Sequence, residues 1–379
     1  MVMSPTRTAN PIDALIDGTL DQLDIPEAMH NKAVAEYQAV GQWLARAGEA
    51  ANGADWFIFP QGSFILGTVV RPIVGTEYDI DLVARRDLLK TSITRADLKA
   101  GVGATLAGFV ESRRGVAGAP SRLAEGRRCW TLGYTDQGFH MDVLPAIPDD
   151  DPDSPTAILL PDRELIEWQH SDPIAYAAWF IQRAERQLLL KEARAYVLDV
   201  PRFGPRQPLQ RAVQVLKRHR DMHFGDDIDA TPPSILITTL AALAYTDEND
   251  ILEVVIRIAA TMERLIENRA GVWWVANPVV PQENFADKWA THPQRRTRFL
   301  EWLHKLQRDL ADLQSDTLPH AIQRLCPMLG EDEVLKAAEG LGNEYRGLRQ
   351  QGVLTAGGAL TTLGVAGQKV KDHTFYGGR

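Results

Sequence analysis

Tyr78-Asp79-Ile80-Asp81-Leu82-Val83 is the stretch that decides the fold. Acid and aliphatic residues alternate through it, the period of a β-strand with one wet and one dry face. Residues two apart on a strand point the same way, so Asp79 and Asp81 share a face, roughly 6.5–7 Å apart along the chain. Two carboxylates held at that distance repel unless something positive lies between them, and hard oxygen ligands suit Mg²⁺ or Mn²⁺. Acids also alternate on solvated strand faces, so the motif takes its meaning from its surroundings.

Upstream, Gln61-Gly62-Ser63 follows the short apolar strand Trp56-Phe57-Ile58-Phe59 and ends sixteen residues before Asp79. Glycine lets the backbone approach a phosphate closely. The serine hydroxyl and the start of a following helix supply donors. Downstream, His140-Met141-Asp142-Val143-Leu144 places a third carboxylate inside an otherwise hydrophobic strand. Cys129 to Tyr134 and Phe139 to Leu144, joined by Thr135-Asp136-Gln137-Gly138, read as a β-hairpin. Beside the first strand, Asp142 would lie one strand spacing, about 4.8 Å, from the acidic pair. Three converging carboxylates can hold two divalent ions roughly 3.5–4 Å apart, the arrangement for in-line phosphoryl transfer.

The wider composition sets limits. Over 379 residues, 45% are hydrophobic and 24% charged, which excludes a disordered chain, a collagen-like fibre and a coiled coil. No apolar run approaches the roughly 20 residues of a membrane span, and Met1 to Ile12 lacks the apolar core of a signal peptide. Two cysteines, Cys129 and Cys326, form no staple framework and fit a reducing compartment, so a cytoplasmic protein is expected. With 41 basic and 50 acidic residues the net charge is −9, poor for gripping long nucleic acid. Local basic clusters remain, among them Arg85-Arg86, Arg127-Arg128 and Lys217-Arg218-His219-Arg220, most of which read as solvated surface.

Helical spacing runs from Pro11 to Ala47, as one long helix or a pair broken near Pro26. Thr94 to Ser112 reads as a further helix. After Pro173 the pattern is mostly helical: Ile174–Ala195, Leu209–Met222, Ser234–Ala244, Ile251–Asn268, Arg295–Leu313 and Glu331–Arg349. Pro232-Pro233-Ser234 is a strong helix start, with Ser234 as the capping residue. Residues 351–379 are glycine-rich and weakly periodic and read as a flexible tail.

Taken together, Gly62-Ser63, Asp79-Ile80-Asp81 and Asp142 resemble the signature of the DNA polymerase β-like nucleotidyltransferases. Gln61-Gly62-Ser63-Phe64 with Tyr78-Asp79-Ile80-Asp81 more closely resembles the bacterial cGAS/DncV-like nucleotidyltransferases (CD-NTases), which make cyclic oligonucleotide signals in the anti-phage systems called CBASS. The resemblance runs from about the first helix to Arg349. It implies an α+β, bilobal polymerase β-like fold: a mixed, largely antiparallel sheet lobe with the N-terminal helix (residues 1–165), a helical nucleotide-binding lobe (166–350) and the tail (351–379). It implies two Mg²⁺ ions, or Mn²⁺, on Asp79, Asp81 and Asp142, with Asp142 also orienting or deprotonating the acceptor ribose hydroxyl. It places the NTP, ATP or GTP, on Gln61, Gly62, Ser63, Lys217 and Ser234. The segment Asn277 to Trp289 would border the base pocket, where Asp287 either contacts a base edge or is an exposed loop acid.

The expected product is a cyclic di- or trinucleotide released with pyrophosphate. Alternatives are transfer of NMP to a protein, RNA end or small molecule, or a catalytically inactive nucleotide-binding module. Nothing matches the Cys/His zinc ribbon with which animal cyclic GMP–AMP synthase grips DNA, so double-stranded DNA is not the expected activator. A monomer is expected. His219 and His223, spaced i,i+4, could share a metal, although a positive patch or plain surface fits them as well. The ending His373-Thr374-Phe375-Tyr376-Gly377-Gly378-Arg379 resembles the tails that an E1/E2-like protein conjugates in related systems; a frayed terminus is the competing reading.

Overall fold

The computed structural model describes residues 10–50, 55–73, 77–150, 154–162, 167–185, 204, 206–227, 229–248 and 250–350, and the backbone of short strands within 354–369. Helices α1 (Pro11–Leu23) and α2 (Glu27–Ala50) open the chain and are indeed a pair. Asn10 caps α1 by accepting from the Ile12 amide at 3.0 Å, Pro11 pre-sets its first turn, and Pro26 separates it from α2. Strand β1 (Trp56–Gln61), the one-turn helix α3 (Gly62–Leu66) and β2 (Tyr78–Arg86) follow. Next come α4 (Arg95–Ser112), capped by Thr94, and β3 (Arg122–Glu125), β4 (Trp130–Tyr134), β5 (Phe139–Pro148), β6 (Ile158–Leu160) and β7 (Gln169–Ser171). The predicted hairpin is β4–β5, closed by a 3₁₀ turn and Gly138 at φ 72°.

The sheet runs β1-β2-β5-β4-β3, with β6 and β7 continuing from the end of β5. Only β2 and β5 pair in parallel; every other pairing in this sheet is antiparallel. Alternation sorts the residues. Tyr78, Ile80 and Leu82 of β2 and Phe139, Met141 and Val143 of β5 pack beneath α2 and α4, with Tyr37, Val40, Leu106 and Phe109. The intervening residues, Asp79, Asp81, His140 and Asp142, therefore take the opposite face. A slip of one residue would drive these polar groups into the core, so the register is strongly specified.

The helical lobe holds α5 (Pro173–Ala184), α6 (Pro208–Phe224), α7 (Ser234–Ala244), α8 (Ile251–Met262), α9 (Lys288–Thr291), α10 (Pro293–Leu313), α11 (Leu318–Leu329) and α12 (Glu331–Gln350). Its core draws in α1: Leu15, Leu20 and Leu23 are buried with Leu306, Leu329 and Val334. The expected boundary at 165/166 assigns α1 to the catalytic lobe, whereas the helix's apolar stripe completes the helical core.

Three further features differ from the elements read in the sequence. The helix expected over 251–268 stops at Met262, and a hairpin of β8 (Glu267–Arg269) and β9 (Val272–Trp274) follows, turning on Ala270 and Gly271, both at positive φ. Helix α11 was not anticipated. The span read as a flexible tail contains β10 (Leu354–Gly357), β11 (Ala359–Thr362) and β12 (Gln368–Lys369) in a small antiparallel sheet, while residues 370–379, with the aromatic ending, lie outside the described residues. The part of the expected helix Ile174–Ala195 beyond residue 185 also lies outside them.

Candidate active site

Parallel pairing of β2 with β5 puts Asp79 opposite His140 and Asp81 opposite Asp142. Four ligand-bearing side chains thus form two rows on one face of the sheet. Asp79, His140 and Asp142 each offer a donor atom, and these atoms lie within 4.8 Å of one another. His140 bridges Glu77 and Asp79, with Nδ1 3.5 Å from Glu77 Oε2 and Nε2 3.3 Å from Asp79 Oδ1. Asp142 is fixed from β4 and the loop before it. Thr131 Oγ1 donates to its Oδ1 at 2.5 Å and Cys129 Sγ to its Oδ2 at 3.3 Å. Burial and the Asp142 charge push the Cys129 thiol up to about 12, so it stays protonated as a donor.

The acids are electrostatically strained. Partial burial and the neighbouring Asp142 carboxylate raise Asp79 to about 7, with Lys217 acting in the other direction. Asp81 is raised well above the usual carboxylate range by burial, then by Asp79 and Asp142. Asp79 Oδ1 is buried and makes no hydrogen bond among the described residues, the His140 Nε2 contact at 3.3 Å lacking hydrogen-bond geometry. A carboxylate oxygen without a hydrogen bond, beside an imidazole and mutually repelling carboxylates, belongs to a donor set that a divalent cation satisfies. The residues fit one metal site, with the imidazole of His140 added to the carboxylates.

Gly62 explains how the Gly-Ser turn meets this cluster. It sits where β1 becomes α3, at φ 64°, and a Cβ there would lie 2.0 Å from Asp81 Oδ2. Only glycine permits both the left-handed turn and the close approach. Gln61 pairs with Asp81 at the end of β1 but does not line the cavity, whereas Ser63 does.

The cavity, about 580 Å³, is lined by Gly62, Ser63, Asp79, Asp81, Lys217 and Ser234, among others. Helix α6 forms its other wall and ties it to the catalytic lobe. Gln210, Lys217, Gln214 and Arg218 donate in turn to the carbonyls of Leu66, Thr68, Val69 and Arg71, at 2.8, 3.0, 2.8 and 2.9 Å. Lys217 is only 7% exposed, which removes the surface-lysine reading. Burial first, then the Arg220 charge, lowers it to about 8. Ser234 lines the cavity as the first helical residue of α7, and Pro233, not Ser234, stands at the cap position.

The structure does not bring every anticipated residue here. Asp287 is exposed and accepts from the Lys288 amide at 2.7 Å at the start of α9; it does not line the cavity. His219 is 2% exposed, accepts from Trp302 Nε1 at 3.0 Å through Nδ1, and contacts Asp309 at 3.1 Å through Nε2. Both nitrogens are engaged in the core, so it shares no metal with His223. The basic run 217–220 as a whole is buried, not solvated. His140 was missed as a donor, although its place two residues before Asp142 on the same strand carried the signal.

A mixed sheet whose acidic row lines a cavity of about 580 Å³, walled on the other side by Lys217 and Arg220, defines a polymerase β-like nucleotidyltransferase. Comparison with known proteins narrows the class. The chain is 30% identical over 364 residues to a c-di-GMP synthase of Roseivirga ehrenbergii, covering 90% of each chain. It is 26% identical over 327 residues to the cyclic dinucleotide synthase CdnG of Bradyrhizobium diazoefficiens, covering 80% of this chain and 76% of that one. The structure of that CD-NTase in complex with GTP superposes with a TM-score of 0.69 at 23% identity, covering 88% of this chain and all of the other. No protein-family model matches. The chain belongs to the cGAS/DncV-like nucleotidyltransferases, the CD-NTases. No helix among the described residues is long and apolar enough to cross a membrane.

Proposed function

We propose that the protein is a metal-dependent nucleotidyltransferase that joins NTPs into a cyclic dinucleotide second messenger in anti-phage signalling, with release of pyrophosphate. GTP is the favoured substrate, on the strength of the relatives described as making c-di-GMP and binding GTP. The observation that carries the reading is the register that places Asp79, Asp81, His140 and Asp142 on one face of the sheet, with Asp79 and Asp81 lining the cavity.

Asp79, Asp81 and Asp142 would hold two Mg²⁺ ions, or Mn²⁺. The ions would neutralise phosphate charge and lower the pKa of the attacking hydroxyl. Ser63 from the Gly-Ser turn, and Lys217 and Ser234 from the opposite wall, hold the triphosphate. Lys217 offers a compact cation already desolvated, so it has little hydration to lose when phosphate arrives. Gly62 keeps the Gly-Ser backbone against Asp81 and so fixes the distance between phosphates and acids. Asp142, locked by Thr131 and Cys129, orients the acceptor ribose hydroxyl for attack on the α-phosphorus. Catalysis of this type is mostly positioning and electrostatics. After one linear step, a second in the same cavity closes the ring.

Pyrophosphate release from GTP with Mg²⁺ tests the assignment. Asp79→Asn and Asp81→Asn should each abolish it without unfolding the protein, and near-normal turnover in either would reject the metal role. Conjugation of the C-terminal residues by an E1/E2-like protein belongs to the same reading and is supported only by the sequence ending Gly377-Gly378-Arg379.

A further inference from the structure

Arg220 lines the cavity one helical turn beyond Lys217, with its side chain only 11% exposed. Its Nη1 donates to Ser234 Oγ at 2.8 Å and to the Pro232 carbonyl at 3.2 Å, and its Nε donates to Asp221 Oδ1 at 2.8 Å. One planar group thus joins α6 to the start of α7. A guanidinium has donors and no acceptor, so the Ser234 oxygen must be the acceptor in this contact. The hydroxyl proton is then left to point elsewhere, and Ser234 faces the cavity. An oxygen already accepting from a cation is also polarised toward donation.

We propose that Arg220 is a positioning residue of the nucleotide site, whose guanidinium sets the Ser234 hydroxyl as a hydrogen-bond donor to the phosphates of a bound nucleoside triphosphate. The inference rests on the reading of the cavity as an NTP site. Charge agrees with the geometry: Arg220, which also pairs with Asp221, and Lys217 both line the cavity from α6, so the wall that would meet the phosphates carries cations. Arginine suits the position because its fork reaches Asp221, Pro232 and Ser234 at once, which a lysine ammonium on a flexible stem does not.

The test is calorimetric titration of the full chain with a nonhydrolysable GTP analogue and with GMP, both in Mg²⁺. Arg220→Gln and Ser234→Ala should each weaken the triphosphate by about tenfold, as expected for one hydrogen bond to a charged group. GMP binding should change less than about twofold, since it lacks the outer phosphates that this donor is set to meet. The double variant should be no weaker than the worse single, because both remove one contact. Arg220→Lys keeps the charge and guards against misfolding; it too should lose discrimination between triphosphate and monophosphate. A wild-type GTP-to-GMP ratio in Arg220→Lys, or losses that multiply in the double variant, would overturn the positioning role while leaving the NTP reading intact. Equal affinity of the unmodified protein for the two nucleotides would instead overturn the NTP reading, and this inference with it.

Discussion

Adding one methyl group at Gly62 probes the contact between the phosphate turn and the metal-binding acids. In Gly62→Ala the new Cβ would stand 2.0 Å from Asp81 Oδ2 and 2.9 Å from its Cγ. Ordinary contact begins near 3.4 Å, so the carboxylate must retreat by about 1.4 Å or the turn must open by as much. Either motion separates phosphate from metal ligand. Misplacement by about 1 Å costs on the order of 100-fold in rate, so pyrophosphate release should fall at least that far. Stability should suffer less. The left-handed φ costs roughly 1–2 kcal/mol with a Cβ, which lowers the melting temperature by a few degrees at most. Gly101→Ala is the matched control: it lies in α4 with nothing within 4 Å of the added Cβ, and should leave turnover unchanged. Turnover of Gly62→Ala within about threefold of the unmodified protein would refute the claim that this approach positions the site.

Three other outcomes are expected, two from the geometry of the site and one from the sequence of the C-terminal residues. Asp79, raised from an ordinary 3.8 to about 7, holds its proton more tightly folded than unfolded, so its contribution favours folding below about pH 4 and is withdrawn as pH rises to 7. Mg²⁺ should therefore raise the melting temperature more at pH 8 than at pH 5, and an equal increment at both would contradict the account. Lys217→Ala should raise the KM for GTP by about tenfold or more with a smaller change in kcat, since it removes charge from the phosphate side and leaves the acids in place; unchanged KM would separate Lys217 from the nucleotide. Deleting Phe375 to Arg379 should leave GTP turnover intact while preventing conjugation by an E1/E2-like partner, and loss of turnover would show that the ending serves the catalytic lobes.

Much of the site was legible because it is written in local alternation. Asp79-Ile80-Asp81 and His140-Met141-Asp142 each reveal a strand face within three residues, and Gly62-Ser63 marks a turn that only glycine can make against Asp81. What stayed hidden depends on partners far along the chain. The run Lys217-Arg218-His219-Arg220 looks like solvated charge, yet its partners include Thr68, Arg71, Asp309 and Ser234. Arg127 and Arg128 likewise turn inward onto the buried Asp162, at 2.8 and 2.7 Å. Helical periodicity ran past Met262 because Glu263 to Asn268 keeps helix-forming composition, and the only local sign of the hairpin was Gly271. The place of α1 in the helical core depends on α12, more than 300 residues later, which no local pattern encodes.

The central claim is that this site makes a cyclic dinucleotide. The direct measurement is mass spectrometry of the products formed from all four NTPs with Mg²⁺ after phosphatase treatment. The account predicts a phosphatase-resistant cyclic dinucleotide containing guanine, absent with Asp81→Asn. Only linear or phosphatase-sensitive products, or NMP found on a macromolecule, would contradict it.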